Sequence, residues 1–147
     1  MRLVIQRTSG VKLLIDNEIW SESKGGLLVL VGTREGDTAE PIKKLADKVA
    51  NLRIFEDNDG KMNLSLLDIK GEIMVVSQFT LYANTNKGRR PSFNEAQNPV
   101  EAEQLYNSLV SELRTLGLHV ATGKFGASMD IRFNNNGPVT IIMDHDA

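Results

Sequence analysis

The chain has 147 residues, 41% hydrophobic and 24% charged, which favours one domain over residues 1–147 with a real apolar core. It has no cysteine, which excludes disulfides, thiolate nucleophiles and Cys-based zinc sites and fits a reducing, cytoplasmic setting. A net charge of −2 and only two histidines, His119 and His145, leave no global basic field and little room for histidine chemistry, so a nucleic-acid partner would need a local patch.

Met1–Arg7 is too short in its apolar part for a signal peptide and reads as a first strand, Leu3–Thr8, followed by Val11–Ile15. Further strands are expected at Ile19–Ser21 and Leu27–Val31, with Asp16-Asn17 and Lys24-Gly25-Gly26 as turns. Leu27–Val31 does not alternate, so it should be buried on both faces. Ile42, Leu45, Ala46, Val49 and Leu52 fall at helical spacing, with Asp37 or Thr38 as cap and Pro41 in the first turn. Arg53–Glu56 reads as a short strand before the turn Asp57-Asn58-Asp59-Gly60, and Glu72–Gln78 as a buried strand.

Residues 84–97 read as a long polar loop. Asn98-Pro99-Val100-Glu101 has the pattern of a capped helix start, and Ala102, Leu105, Tyr106, Leu109, Val110, Leu113 and Leu116 form its apolar stripe, ended by Gly117. Strands then follow at Leu118–Ala121, Met129–Phe133 and Val139–Met143. Many strands with two separated helices predict an α+β fold with a curved, barrel-like antiparallel or mixed sheet. No run of about 18 apolar residues exists, so no membrane span is expected.

Ser77-Gln78-Phe79-Thr80 places hydroxyl and amide groups at the tip of a buried strand. Thr80 has no nearby His or Lys, and a hydroxyl without a base is a weak nucleophile, although main-chain N–H groups at a strand end could hold an oxyanion. Asp57–Gly60 resembles the start of a calcium loop, but Lys61 and Asp68 occupy later ligand positions, so a hairpin turn is preferred. Asp144-His145-Asp146 could chelate a metal but stands at the frayed C-terminal end, and no metal is expected. His119 reads as a partly buried structural histidine. Lys87-Gly88-Arg89-Arg90 is either a solvated turn or a phosphate contact. Gly137-Pro138 interrupts a strand pattern, because proline donates no ladder hydrogen bond.

From end to end, the chain resembles the D-aminoacyl-tRNA deacylases. The resemblance rests on Met1–Arg7, Gly25–Leu30, Asn51–Asp57, Gly60–Ser65, Val76–Tyr82, Lys87–Phe93, Thr122–Ala127 and Asn135–Thr140, in that order. One departure is Asn136, where the family usually has Asp. The resemblance implies a homodimer without cofactor that hydrolyses the ester joining a D-amino acid to the 3′-terminal adenosine of tRNA, and also glycyl-tRNA mischarged on tRNA(Ala). It implies a Gly137-cisPro138 pair inserted into the partner's site, whose carbonyls crowd an L side chain, with Arg7 bracing it from below. Ser77, Gln78, Phe79 and Thr80 would line the receiving pocket, while Phe125, Gly126 and Met129 would border the adenosine or cap the cleft. Lys87, Arg89 and Arg90 would meet tRNA phosphates. Two routes stay open: Thr80 as nucleophile, or water assisted by the substrate's 2′-hydroxyl. Two other classes compete, a non-catalytic RNA-binding module and a small-molecule esterase using Thr80.

Overall fold

The computed structural model describes residues 1–145. Its centre is a five-stranded mixed sheet of order β6-β5-β2-β1-β7, with β1 at Arg2–Ile15, β2 at Glu18–Gly32, β5 at Glu72–Ser77, β6 at Val120–Thr122 and β7 at Asp130–Asp144. β1 runs antiparallel to β2 and to β7, whereas β5 runs parallel to both β2 and β6. Two short strands, β3 (Phe55–Glu56) and β4 (Met62–Leu64), form a separate hairpin.

The apolar stripes explain the layers. Helix α1 (Ile42–Ala50) buries Ile42, Leu45, Ala46, Val49 and Ala50, and helix α2 (Pro99–Thr115) buries Leu105, Tyr106, Leu109, Val110 and Leu113. Both pack on one sheet face, against Leu3, Ile5, Leu27, Val29, Val31, Ile73 and Val75. On the other face Val11, Leu13, Leu28, Met74, Val76 and Ala121 form a second cluster, joined by Met129 and Ile131. Leu27–Val31 is therefore covered on both sides, as its lack of alternation predicts, with Leu30 half-buried.

The sheet does not close. The expected barrel-like form fails because the edge strands β6 and β7 do not pair, and β6 has only three residues with which to do so. Three expected breaks are also absent. β1 passes through Ser9-Gly10 by an irregularity in which the Thr8 hydroxyl accepts from Gly10 N–H (3.1 Å) and donates to Gly10 O (2.8 Å). β2 passes through Gly25-Gly26, because Gly26 is needed for close approach and not for a turn. A Cβ there would stand 1.9 Å from Glu72 O of β5. β7 runs through the Asn-rich segment and Pro138 on the sheet edge.

The helix starts differ from each other. Asn98 caps α2 through its side chain, which accepts from Glu101 N–H at 3.1 Å, while the Glu101 carboxylate takes the Gln97 side-chain amide. Neither Asp37 nor Thr38 caps α1, which starts at Pro41 without a side-chain cap. Asp37 instead accepts from the Met1 ammonium at 2.6 Å and from Arg34 N–H at 2.8 Å, all but buried. His119 is exposed and contributes its main-chain carbonyl to Ile73 N–H, so the expectation of a partly buried ring was wrong. Its neighbours Leu118 and Val120 take the inward positions instead. The Asp57–Gly60 turn is a hairpin turn in which the Asp57 carboxylate accepts from the N–H groups of Asp59 and Lys61. Those bonds hold its carboxyl below the usual range.

Removing one partner of a buried ion pair leaves the other charged and desolvated, a loss of about 3–5 kcal/mol. Asp37→Ala should therefore lower the urea-unfolding free energy by about that much at fixed protein concentration. A change under about 1 kcal/mol would show that the Met1–Asp37 pair contributes little.

Candidate active site

The parallel strands β2 and β5 end side by side, at Gly32 and Ser77, and the site lies beyond their C-terminal ends. Gln78 N–H donates to Val31 O at 2.7 Å, which holds the chain as it leaves β5. The strand ends at Ser77, one residue before the expected Gln78, and the chain then winds into a 3₁₀ turn, Phe79–Tyr82. Gly32 makes room for that turn. A Cβ there would lie 2.9 Å from Leu81 Cβ, 3.1 Å from Gln78 O and 3.3 Å from Tyr82 Cδ2.

A cavity of about 500 Å³ opens between this turn, the start of α2 and the loop before β7. Ser77, Gln78 and Phe79 line one side, and Phe125, Gly126 and Met129 another. Thr33, Gln97 and Ala102, which sequence reasoning missed, also stand in the wall, with Val31, Val76 and Ile131 among the rest. None of the lining side chains is ionisable. Tyr106 supports the floor: its hydroxyl donates to Val75 O at 2.8 Å, its ring lies 6.2 Å from that of Phe125, and burial pushes its pKa up to about 12. Tyr82, the last residue of the 3₁₀ turn, is likewise pushed up to about 12 by burial, so neither phenol supplies a base near neutrality.

Thr80 is exposed and does not line the cavity. Its hydroxyl accepts from the Gln78 side-chain amide at 2.6 Å. The main chain is better placed for chemistry. Leu81 N–H donates back to Gln78 O, so Phe79 and Thr80 N–H precede the first bond of the turn and have no partner inside it. Two adjacent donors beside the uncharged cavity suit an oxygen on which negative charge develops, and the Arg2 guanidinium meets the same turn through Leu81 O at 3.2 Å.

Gly137, Pro138 and Arg7 lie outside the cavity. The Gly137-Pro138 peptide is cis, and both residues are exposed on the edge strand β7. Gly137 has φ +131°, and a Cβ there would meet Arg7 Nη2 at 2.8 Å. Arg7 is buried. Its Nε donates to Asn136 O at 3.0 Å, its Nη1 to Ile54 O at 2.8 Å, and its Nη2 lies 3.7 Å from the Glu56 carboxylate. Asn135 closes the segment, its amide oxygen accepting from Val139 N–H and its amide nitrogen donating to the Thr140 hydroxyl. Arg7 grips Asn136 by the main chain, so the departure from Asp at that position leaves this bond in place.

Lys87, Arg89 and Arg90 lie on an exposed loop closed by the Asn84–Ser92 bridge. Phe93, just after it, meets Phe79 edge to face at 5.0 Å, so this loop is tied to the cavity rim. At the C-terminus the Asp144 carboxylate takes a two-point grip from Arg2, which holds its pKa below the usual range. Asp146, the third member of the possible chelating run, lies outside the described residues. Among the described residues no three His, Asp or Glu side chains gather as a cation would require, and no helix is long and apolar enough to cross a membrane.

The model of one protein family, described as D-Tyr-tRNA(Tyr) deacylase, matches residues 4–144. A D-aminoacyl-tRNA deacylase of Aquifex aeolicus is 55% identical over 144 residues, covering 98% of this chain and 97% of that protein. Another, of Lactobacillus gasseri, is 52% identical over 144 residues, covering 98% of this chain and 99% of that protein. Among solved structures, one named c-Myc DNA Unwinding Element Binding Protein superposes with a TM-score of 0.92 at 38% identity, over 100% of both chains. A structure described as a probable eukaryotic D-amino acid tRNA deacylase superposes at 0.85 with 19% identity, over 98% of each chain, a likeness of fold alone.

Overpacking a tight contact costs about 1–3 kcal/mol. Gly32→Val should lower stability by about that amount and displace the 3₁₀ turn. NMR would show this as loss of the Phe79–Phe93 ring contact while contacts between α1 and α2 persist. An unchanged Phe79–Phe93 contact would show that Gly32 does not position the turn.

Proposed function

The chain belongs to the D-Tyr-tRNA(Tyr) deacylase family, and from that premise we propose that it hydrolyses the ester linking a D-amino acid to the 3′-terminal adenosine of tRNA. Water adds to the ester carbonyl, the bond to the ribose 3′-oxygen breaks, and free amino acid and tRNA are released. The observation that carries this reading is the uncharged cavity beside the N–H groups of Phe79 and Thr80, which have no partner inside the 3₁₀ turn. These donors would stabilise the tetrahedral oxyanion. Ser77 and Gln78 would hold the amino acid, and Phe125, Gly126 and Met129 would pack against the adenosine.

We assign no nucleophile to the protein. The Thr80 hydroxyl accepts from Gln78 and has no base, so the covalent route lacks an activator. The substrate's 2′-hydroxyl, adjacent to the scissile ester, would accept a proton from the attacking water and pass its own to the departing 3′-oxygen. The same arrangement argues against a small-molecule esterase, because a substrate without ribose would bring neither the 2′-hydroxyl nor the binding energy of the nucleotide.

Selectivity would come from a second copy of the chain. Gly137 and Pro138 are exposed and away from their own cavity, with Arg7 fixing them through Asn136 O. In a homodimer their carbonyls would enter the partner's cavity and occupy the space that an L side chain needs. D substrates would pass, and so would glycine, including glycyl-tRNA mischarged on tRNA(Ala). This is rejection by clash, built from main-chain atoms that side-chain substitution does not remove. Lys87, Arg89 and Arg90 would approach the tRNA backbone from the rim. A cytoplasmic location follows from that substrate.

Purified protein should release D-tyrosine from D-tyrosyl-tRNA, and Thr80→Ala should retain kcat within about threefold. A substrate ending in 2′-deoxyadenosine should react about 10²-fold more slowly or worse. Absence of release by the unaltered protein would sink the hydrolase reading. Collapse of turnover in Thr80→Ala, with the deoxy substrate unaffected, would restore the covalent route.

A further inference from the structure

Trp20 is the only tryptophan in the sequence, and it is 51% exposed near the tip of the β1–β2 hairpin, next to Ile19 at 57%. It contributes nothing to either apolar cluster. Its position is nevertheless fixed. The neighbouring Ser21 hydroxyl donates to Thr122 O of β6 at 2.8 Å, which fastens the hairpin beside the loop that leaves β6. In that loop Lys124 places Nζ 5.6 Å from the centre of the Trp20 ring. The residues after Lys124, Phe125, Gly126 and Ala127, line the cavity.

The pair therefore stands at one margin of the site, while the loop carrying Lys87, Arg89 and Arg90 is tied to another through Phe93 and Phe79. An aromatic face with a cation beside it is how proteins hold unpaired nucleotides, the ring stacking on a base and the ammonium meeting a phosphate. With a net charge of −2, attraction for RNA must come from such local pairs. We propose that Trp20 and Lys124 form a platform for an unpaired nucleotide just upstream of the substrate's terminal adenosine. The base stacks on the indole, and Lys124 moves from the ring to the adjoining phosphate. This rests on the aminoacyl-tRNA reading above and adds a positioning element to it.

Trp20 emission reports the site directly. Titration of the full-length protein with an uncharged RNA hairpin bearing a single-stranded 3′ overhang should quench it saturably. A blunt hairpin of the same stem, or adenosine alone, should not. Lys124→Ala should weaken that binding and reduce the salt slope of log K by about 1. With D-tyrosyl-tRNA, Trp20→Ala should raise KM about tenfold with a much smaller effect on kcat, and Trp20→Phe should recover most of the loss.

Deacylation by the unaltered protein without overhang-dependent quenching would overturn the platform and leave the enzyme reading intact. Quenching that follows protein concentration without RNA would overturn it too, by showing Trp20 buried between copies of the chain. Overhang-dependent quenching in a protein that releases no D-tyrosine would support the platform while removing the hydrolase reading.

Discussion

The parallel pairing of β2 with β5 is the contact on which the rest of the molecule depends. Six residues of each strand are in register, Gly26–Val31 against Glu72–Ser77, and both strands are covered on their two faces. Parallel strands buried in this way hold their ends at a fixed level, and here both end at the cavity. The bond from Gln78 N–H to Val31 O and the bare Gly32 then decide how the chain turns after β5. The donors of Phe79 and Thr80, the wall of the cavity and the basic loop beyond Phe93 all inherit their positions from that exit.

In the reading proposed here, chemistry and selectivity would be carried by different parts of one sheet. The cavity opens at the C-terminal ends of β2 and β5 and takes Ile131 from the start of β7, while Gly137-Pro138 stands further along β7, outside it. Arg7 is the side chain that sets the latter. A buried guanidinium costs desolvation, and it is offset here by two main-chain carbonyls and the nearby Glu56 carboxylate. In our account, the protein supplies position and dipoles, and the substrate supplies the hydroxyl that moves the proton. Such a site needs no base, in keeping with the uncharged lining of the cavity.

Much of this was legible in the sequence where one physical cause acts alone. The stripe from Leu105 to Leu113 marks α2 because a helix buries every third or fourth residue, and Asn98 with Glu101 marks its start. Leu27–Val31 betrays its two-sided burial by failing to alternate. Glycines misled where two causes share one residue. Gly10 falls in a gap between two expected strands and Gly26 looks like a turn residue, yet one sits in a strand irregularity and the other admits a neighbouring strand. Asp37 looks like a helix cap, but the Met1 ammonium, 36 residues away, claims it. Sheet closure is likewise a long-range property, and nothing local shows that β6 stops short of β7. Within the site, Ser77, Gln78 and Phe79 stood out as polar and aromatic groups ending an apolar run. Thr33, Gln97 and Ala102 carried no such mark, because the first follows β2 without any distinctive pattern and the other two reach the cavity only where the start of α2 meets the strand ends.

The central claim is that main-chain geometry sorts substrates by handedness. It is tested most directly by single-turnover deacylation of D-tyrosyl-tRNA and L-tyrosyl-tRNA, measured in parallel with the unaltered protein. A clash of about 4 kcal/mol separates the two rates by about 10³-fold, and the account predicts cleavage of the D ester with at least that margin. Equal rates for the two esters would contradict it.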